Sequence, residues 1–156
     1  MAGTAKALAL LCFLSALAIA HCEHFIVQGR VYCDTCRFGF ETKASTYIPG
    51  AKVRVECKDR TTGQMTYSIE GITDETGTYK IPVEEDRPDE ICEAILVSSP
   101  ISDCKEFESG RERARILLTK DNGISNHVRF ANSLGFIKDK PLPGCSELLK
   151  QYELDE

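Results

Sequence analysis

Ala51-Lys52-Val53-Arg54-Val55-Glu56-Cys57 is the stretch whose reading decides the fold class. Its small and apolar residues alternate strictly with Lys52, Arg54 and Glu56. A period of two sends one set of side chains to each face of an extended chain, so this is a half-buried β-strand. Pro49-Gly50 just before it is a turn. Asp59 to Gly63 after it is a second turn, and Met65 to Ile69 returns as the other arm of a hairpin.

Working outward, the same period recurs. Phe25 to Tyr32 places Phe25, Val27, Gly29 and Val31 on one face. Asp74-Glu75-Thr76-Gly77 is a turn, and beyond it Tyr79, Ile81 and Val83 alternate. Ile91 to Ser98 and Arg115 to Thr119 are further strands. Asp121-Asn122-Gly123 marks another turn, and His127 to Phe130 is a weaker strand. Pro100 to Arg113 reads as a loop with a charged surface. About seven short strands at regular spacing predict an all-β fold, an antiparallel immunoglobulin-like sandwich or small barrel. Only Ser146 to Tyr152 reads as helix, capped by Ser146, with Leu148 and Leu149 facing inward.

The N-terminus sets the compartment. Met1 to Ala20 carries Lys6, an apolar run from Ala7 to Ile19 and the small residues Ala18-Ile19-Ala20, the three parts of a secretory leader. The run is shorter than the ~20 residues that a membrane span needs. Cleavage after Ala20 leaves a single domain over 21–156; cleavage after Cys22 is the alternative. The chain then matures in an oxidising compartment, where thiols pair. Its formal net charge is −5 at pH 7, and loss of Lys6 makes it more acidic. That charge argues against nucleic acid, because counterion release needs a basic surface. The 42% of hydrophobic residues is enough to build a core, which excludes disorder.

Of the 8 cysteines, Cys12 leaves with the leader and Cys22 sits at its margin. Six remain, and Cys33-Asp34-Thr35-Cys36 among them is a C-x-x-C with three readings. A redox pair should open a helix in a βαβ setting, and Arg37-Phe38-Gly39-Phe40 is not helical. A zinc site needs a second close pair of ligands, which Cys57, Cys92, Cys104 and Cys145 do not supply. The structural reading remains. If the strand continues through Cys36, an odd offset puts the two thiols on opposite faces and sends them to different partners. Six cysteines allow fifteen pairings, and spacing does not choose among them.

Gln28-Gly29-Arg30-Val31-Tyr32-Cys33-Asp34-Thr35-Cys36-Arg37 resembles the signature of the pollen Ole e I family, the olive-major-allergen-like and extensin proteins. Similar stretches follow at Ile48-Pro49-Gly50-Ala51, Thr73-Asp74 with Gly77 and Tyr79, Ile91-Cys92-Glu93, Ser98-Ser99-Pro100, Asp103-Cys104, and Asn132-Ser133-Leu134-Gly135-Phe136. The likeness runs from Phe25 to about Tyr152. It implies a secreted, pollen-abundant plant protein linked to pollen tube emergence and growth, with a β-sandwich or barrel and a short C-terminal helix. It also implies three disulfides: Cys33 with Cys104, Cys36 with Cys145, and Cys57 with Cys92. The stretch from Pro49 to Tyr79 is similar to transthyretin-type and carboxypeptidase-regulatory sandwiches as well. Two features depart from the family. No N-x-S/T sequon occurs at Asn122, Asn126 or Asn132, so no N-glycan is expected. The 6 prolines are scattered, unlike the extensin branch.

No nucleophile elbow, H-E-x-x-H, P-loop or dinucleotide fingerprint occurs. His127 is a lone histidine. The expectation is therefore no catalytic residue, no cofactor and no metal. Glu84-Glu85-Asp86-Arg87-Pro88-Asp89-Glu90 offers carboxylates for calcium or, as Pro88 favours, forms a solvated turn. Arg111, Arg113 and Arg115 form a basic stripe at strand period, either a contact for acidic partners or a solvated face. Phe38 and Phe40 are read as packing beneath the neighbouring disulfides. The expected partner is a protein such as a cell-surface receptor, or a cell-wall component, met in the extracellular space. The alternatives are a carrier of small apolar ligands and a protease inhibitor.

Overall fold

The computed structural model describes residues 24–154. The expected leader, its cleavage point and Cys22 lie outside the described residues. Among these residues ten strands and one helix follow in chain order: β1 (His24–Asp34), β2 (Thr46–Tyr47), β3 (Lys52–Asp59), β4 (Met65–Ile72), β5 (Thr78–Glu84), β6 (Glu90–Ser98), β7 (Glu106–Phe107), β8 (Arg113–Ile116), β9 (Val128–Phe130), β10 (Leu134–Ile137) and α1 (Cys145–Leu154). Seven of the strands have four residues or more. No helix among the described residues is long and apolar enough to cross a membrane.

Two sheets form. One has the order β4-β3-β6-β8 and is antiparallel throughout. The other is organised on β1, which is long enough to serve two sets of neighbours. Its first half pairs with β5 antiparallel and β9 parallel, and its second half with β2 antiparallel and β10 parallel. At Val31 one edge changes hands: its N–H donates to the Gly77 carbonyl, and its carbonyl accepts from the Ile48 amide. The parallel pairs depart from the expected antiparallel pattern. β9 and β10 are separated only by Ala131, Asn132 and Ser133 and lie end to end along β1, so the chain runs on in one direction and both pair with it in parallel.

The core lies between the sheets. Phe25, Val27 and Val31 of β1 and Tyr79, Ile81 and Val83 of β5 meet Val53, Val55, Ala94, Leu96 and Ile116 from the other sheet, all buried. Each fully buried Val, Leu or Phe contributes about 1.5–3 kcal/mol. The turns are built from side chains that the sequence places at their corners. Asp59 Oδ1 accepts the amides of Thr61 and Thr62 at 2.8 and 2.7 Å, which closes the β3–β4 hairpin. Asp74 Oδ1 accepts the amides of Thr76 and Thr78 at 2.8 and 3.1 Å, which carries the chain from β4 in one sheet to β5 in the other. The amides hold the Asp59 carboxyl below the usual aspartate range, and the Thr76 hydroxyl, which also donates to Asp74, does the same there together with its two amides. Buried Thr73 donates its hydroxyl to the Ile48 carbonyl and accepts the Ala51 amide, fastening the Pro49-Gly50 corner.

Some expectations are corrected. β8 begins at Arg113 and ends at Ile116, not Arg115 to Thr119, because Arg113 already pairs with Ile95. The stretch from Pro100 to Arg113 contains β7, which pairs with β10. Strands β2 and β10 carry no alternating pattern: β2 has two residues, and the first three residues of β10 are all buried. The helix starts at Cys145, so Ser146 lies inside its first turn and its hydroxyl turns to Glu147 at 2.8 Å. Leu148 is buried, whereas Leu149 is exposed.

Two registered pairs place an aromatic ring over a glycine: Gly29 with Tyr79, and Gly135 with Tyr32. A Cβ on Gly29 would stand 2.6 Å from the Tyr79 ring carbon that bears the hydroxyl, and that ring is fully buried. Gly29→Ala is therefore expected to cost about 1–3 kcal/mol, read as a lower denaturant midpoint in chemical unfolding. An unchanged midpoint would show that the ring moves freely.

Candidate functional site

The cysteines come together at two places. Cys57 and Cys92 face each other across β3 and β6, with Cα atoms 4.1 Å apart, and form a disulfide within one sheet. Glu90 lies within ligand reach of this pair, the one such cluster of three among the described residues. Both sulfurs are occupied by the disulfide, however, and Glu90 receives Arg87 at 2.9 Å.

The other two disulfides leave from the end of β1. Cys33 bonds to Cys104 in the loop before β7, and Cys36 bonds to Cys145 at the start of α1, with Cα separations of 6.1 and 5.4 Å. The two members of the C-x-x-C thus have different partners, and neither forms a redox pair with the other. The strand does not continue to Cys36 as the opposite-face argument assumed. It ends at Asp34, whose carboxylate accepts the Cys36 amide at 3.2 Å and the Gly39 amide at 2.8 Å and folds the chain into a turn. Arg37 takes a left-handed backbone (φ 58°) at that turn. The disulfide Cys36–Cys145 packs with Leu148, Phe38, Ala44 and Tyr152 in a small second core. Phe40 meets Tyr152 edge-on at 5.6 Å.

Behind these disulfides is a buried carboxyl pair that no sequence pattern marks. Asp34 and Glu108 are 0% and 7% exposed, and their charges act on each other. Burial, then the neighbouring Asp34 carboxyl, pushes Glu108 above the usual glutamate range. Tyr32, on the same face of β1, is pushed up to about 12, chiefly by burial. Arg111 donates to the Gly39 carbonyl at 3.2 Å and faces this cluster.

The remaining candidates separate. Of the basic stripe, Arg111 donates to the Gly39 carbonyl beside the carboxyl cluster, Arg113 holds Glu93 at 3.1 Å, and exposed Arg115 forms no ion pair among the described residues. In the acidic run, Arg87 lies under Tyr67 at 4.0 Å and takes Glu90, and the other carboxylates do not gather into a ligand set. His127 is exposed. A groove of about 430 Å³ is lined by His24, Tyr67, Ser68, Ile69, Pro82 and Glu84, at the sandwich margin instead of between the sheets.

Fold and site together define a disulfide-braced, two-sheet β domain. Comparison with known proteins gives the family. Residues 23–153 match the family described as "Pollen protein Ole e 1 like". The chain is 47% identical to "Pollen-specific protein C13" of Zea mays, over 98% of this chain and 93% of that one. It is 52% identical to "Olee1-like protein" of Betula pendula, over 93% and 90%. The crystal structure of the major plantain pollen allergen Pla l 1 superposes with a TM-score of 0.71 at 34% identity, covering 78% of this chain and 99% of that one. The chain belongs to the Ole e 1-like pollen protein family.

The carboxyl pair gives a pH signature. A glutamate raised in the folded state contributes stability below its ordinary value of 4.5, and that contribution is lost as pH rises through the folded pKa. Glu108→Gln keeps a donor toward Asp34 and removes the titration. Its melting temperature is expected to gain on the wild type as pH rises from 4.5 toward neutrality, read by calorimetry at a series of pH values. A constant difference would contradict a carboxyl raised by burial.

Proposed function

We propose that the protein is secreted into the extracellular space or cell wall of pollen and acts there without catalysis. It binds a protein partner, such as a cell-surface receptor, or a cell-wall component, during hydration, germination or tube growth. The observation that carries this reading is the similarity along nearly the whole chain to a pollen-specific protein. The physical setting supports it. Three buried disulfides suit an oxidising exterior, and each removes about 2–4 kcal/mol of chain freedom from the unfolded state. In the chain-entropy account the longest loop, closed by Cys36 and Cys145 at a separation of 109, gives the largest share. Such a domain resists digestion in wet, protease-bearing surroundings, which also makes it a candidate allergen like its plantain relative.

The role is tested in pollen in which the transcript is silenced. Hydration, germination or tube elongation is expected to fail, and recombinant disulfide-bonded protein added outside the cell is expected to restore it. Normal germination and growth in fully silenced pollen would overturn the reading.

A further inference from the structure

The open edges of the two sheets lie side by side. Among the described residues β8 pairs only with β6, and β9 only with β1. Arg129 of β9 joins them. Its guanidinium donates to the carbonyls of Leu117 at 3.0 Å, Thr119 at 3.1 Å and Asn126, and stands 4.6 Å from the Phe25 ring. This buried cation is satisfied by carbonyls, and it draws the segment after β8 onto β9. A groove of about 300 Å³ results, lined by Arg115, Ile116, Leu117, Ile124, Val128 and Phe130 together with the Arg129 that builds it. Phe130, Leu117 and Ile124 are 72%, 54% and 46% exposed, three large apolar side chains gathered in one place and left uncovered. A second groove shares Arg115, Ile116 and Leu117 and runs on to Arg60. Glu90 also lines this second groove, where Arg87 holds it, and Glu93 stands across from Arg115 in the β6–β8 register, where Arg113 holds it; Arg60 and Arg115 themselves form no ion pair among the described residues and flank the apolar patch.

The backbone is equally open. The Leu96 amide donates to the Glu112 carbonyl, so in the antiparallel register Glu112, Ala114 and Ile116 direct their backbone groups at β6. Those of Arg113 and Arg115 point away from it. Arg113, Arg115 and Leu117 are exposed, alternating with buried Ala114, Ile116 and Leu118.

We propose that this face binds an extended acidic segment of a partner protein. The segment adds as a strand along β8, sets carboxylates on Arg115 and Arg60, and lays an apolar side chain into the groove of Leu117, Ile124 and Phe130. A second copy of the chain fits poorly, because antiparallel pairing of β8 with itself opposes Arg113 and Arg115 to the same arginines. The overall negative charge does not oppose the docking, since screening at physiological salt limits the field to roughly 8 Å and leaves the local arginines in control. The proposal rests on the reading of the protein as a binder of other proteins and names the site and the partner chemistry.

The probe is a synthetic extended peptide with Glu and Leu two residues apart, so that both lie on one face. Titrated into the disulfide-bonded protein, it is expected to shift the amide resonances of 113–117 and 128–130. Arg115→Glu and, separately, Phe130→Asp are expected to weaken it about tenfold or more. Ile72→Asp, exposed on distant β4, should leave it unchanged, and a Lys-for-Glu peptide should not bind. No shift at these amides, or equal binding by all variants, overturns the proposal. Oligogalacturonate bound with the same Arg115 dependence also overturns it, in favour of an acidic polysaccharide, and self-association lost in Arg115→Glu overturns it in favour of a second copy. Silenced pollen separates the two readings: restoration by the Arg115→Glu protein as well as by wild type refutes this face alone, whereas no growth defect refutes the extracellular role.

Discussion

Strand β1 hydrogen bonds with four other strands, and its last four residues are buried on both faces. Those two facts constrain the rest of the molecule. A strand of eleven residues with β5 and β9 on its first half and β2 and β10 on its second has no free edge over most of its length. Buried backbone groups must be paired, and β1 meets that requirement by recruiting segments too short to stand alone. At its end Asp34 turns the chain, and the flanking Cys33 and Cys36 hold the β7 loop and α1. The helix therefore owes its place to a covalent bond and a small local core instead of to the main one.

The second sheet is more regular and depends less on covalent help. Its four strands are antiparallel, and its disulfide joins residues already opposite each other. Its outer strand β4 is largely exposed, consistent with an edge that carries mixed polar residues. The other outer strand, β8, differs, because its neighbourhood collects exposed apolar side chains and free arginines where the two sheets come together. A scaffold this tightly closed on β1 leaves its open chemistry at that margin. Loops and edges on a rigid framework are where binding residues concentrate.

How much of this was legible beforehand follows from what each segment buries. Ala51 to Cys57 and Tyr79 to Val83 have one face in the core and one in solvent, so alternation marked them, and the structure places β3 and β5 there. Leu134–Ile137 is buried on both faces, leaving no period to detect, although the same residues stood out in the family resemblance. Glu108 looked like one more charged loop residue. Only the fold shows that Asp34, which read as part of a C-x-x-C, lies against it. The stripe at Arg111, Arg113 and Arg115 was visible as a pattern, but its division depends on what each guanidinium bonds: the Gly39 carbonyl for Arg111, and Glu93 for Arg113 in place of Arg115, which lies directly across from that glutamate in the register.

Native-state hydrogen exchange of the disulfide-bonded protein tests the organising role of β1 most directly. If β1 holds the first sheet together, its amides from Ile26 to Cys33 exchange only through global unfolding, with protection at least equal to that of β3 and β6. Exchange of those amides through local opening, at a lower free energy than β3 and β6, would contradict it.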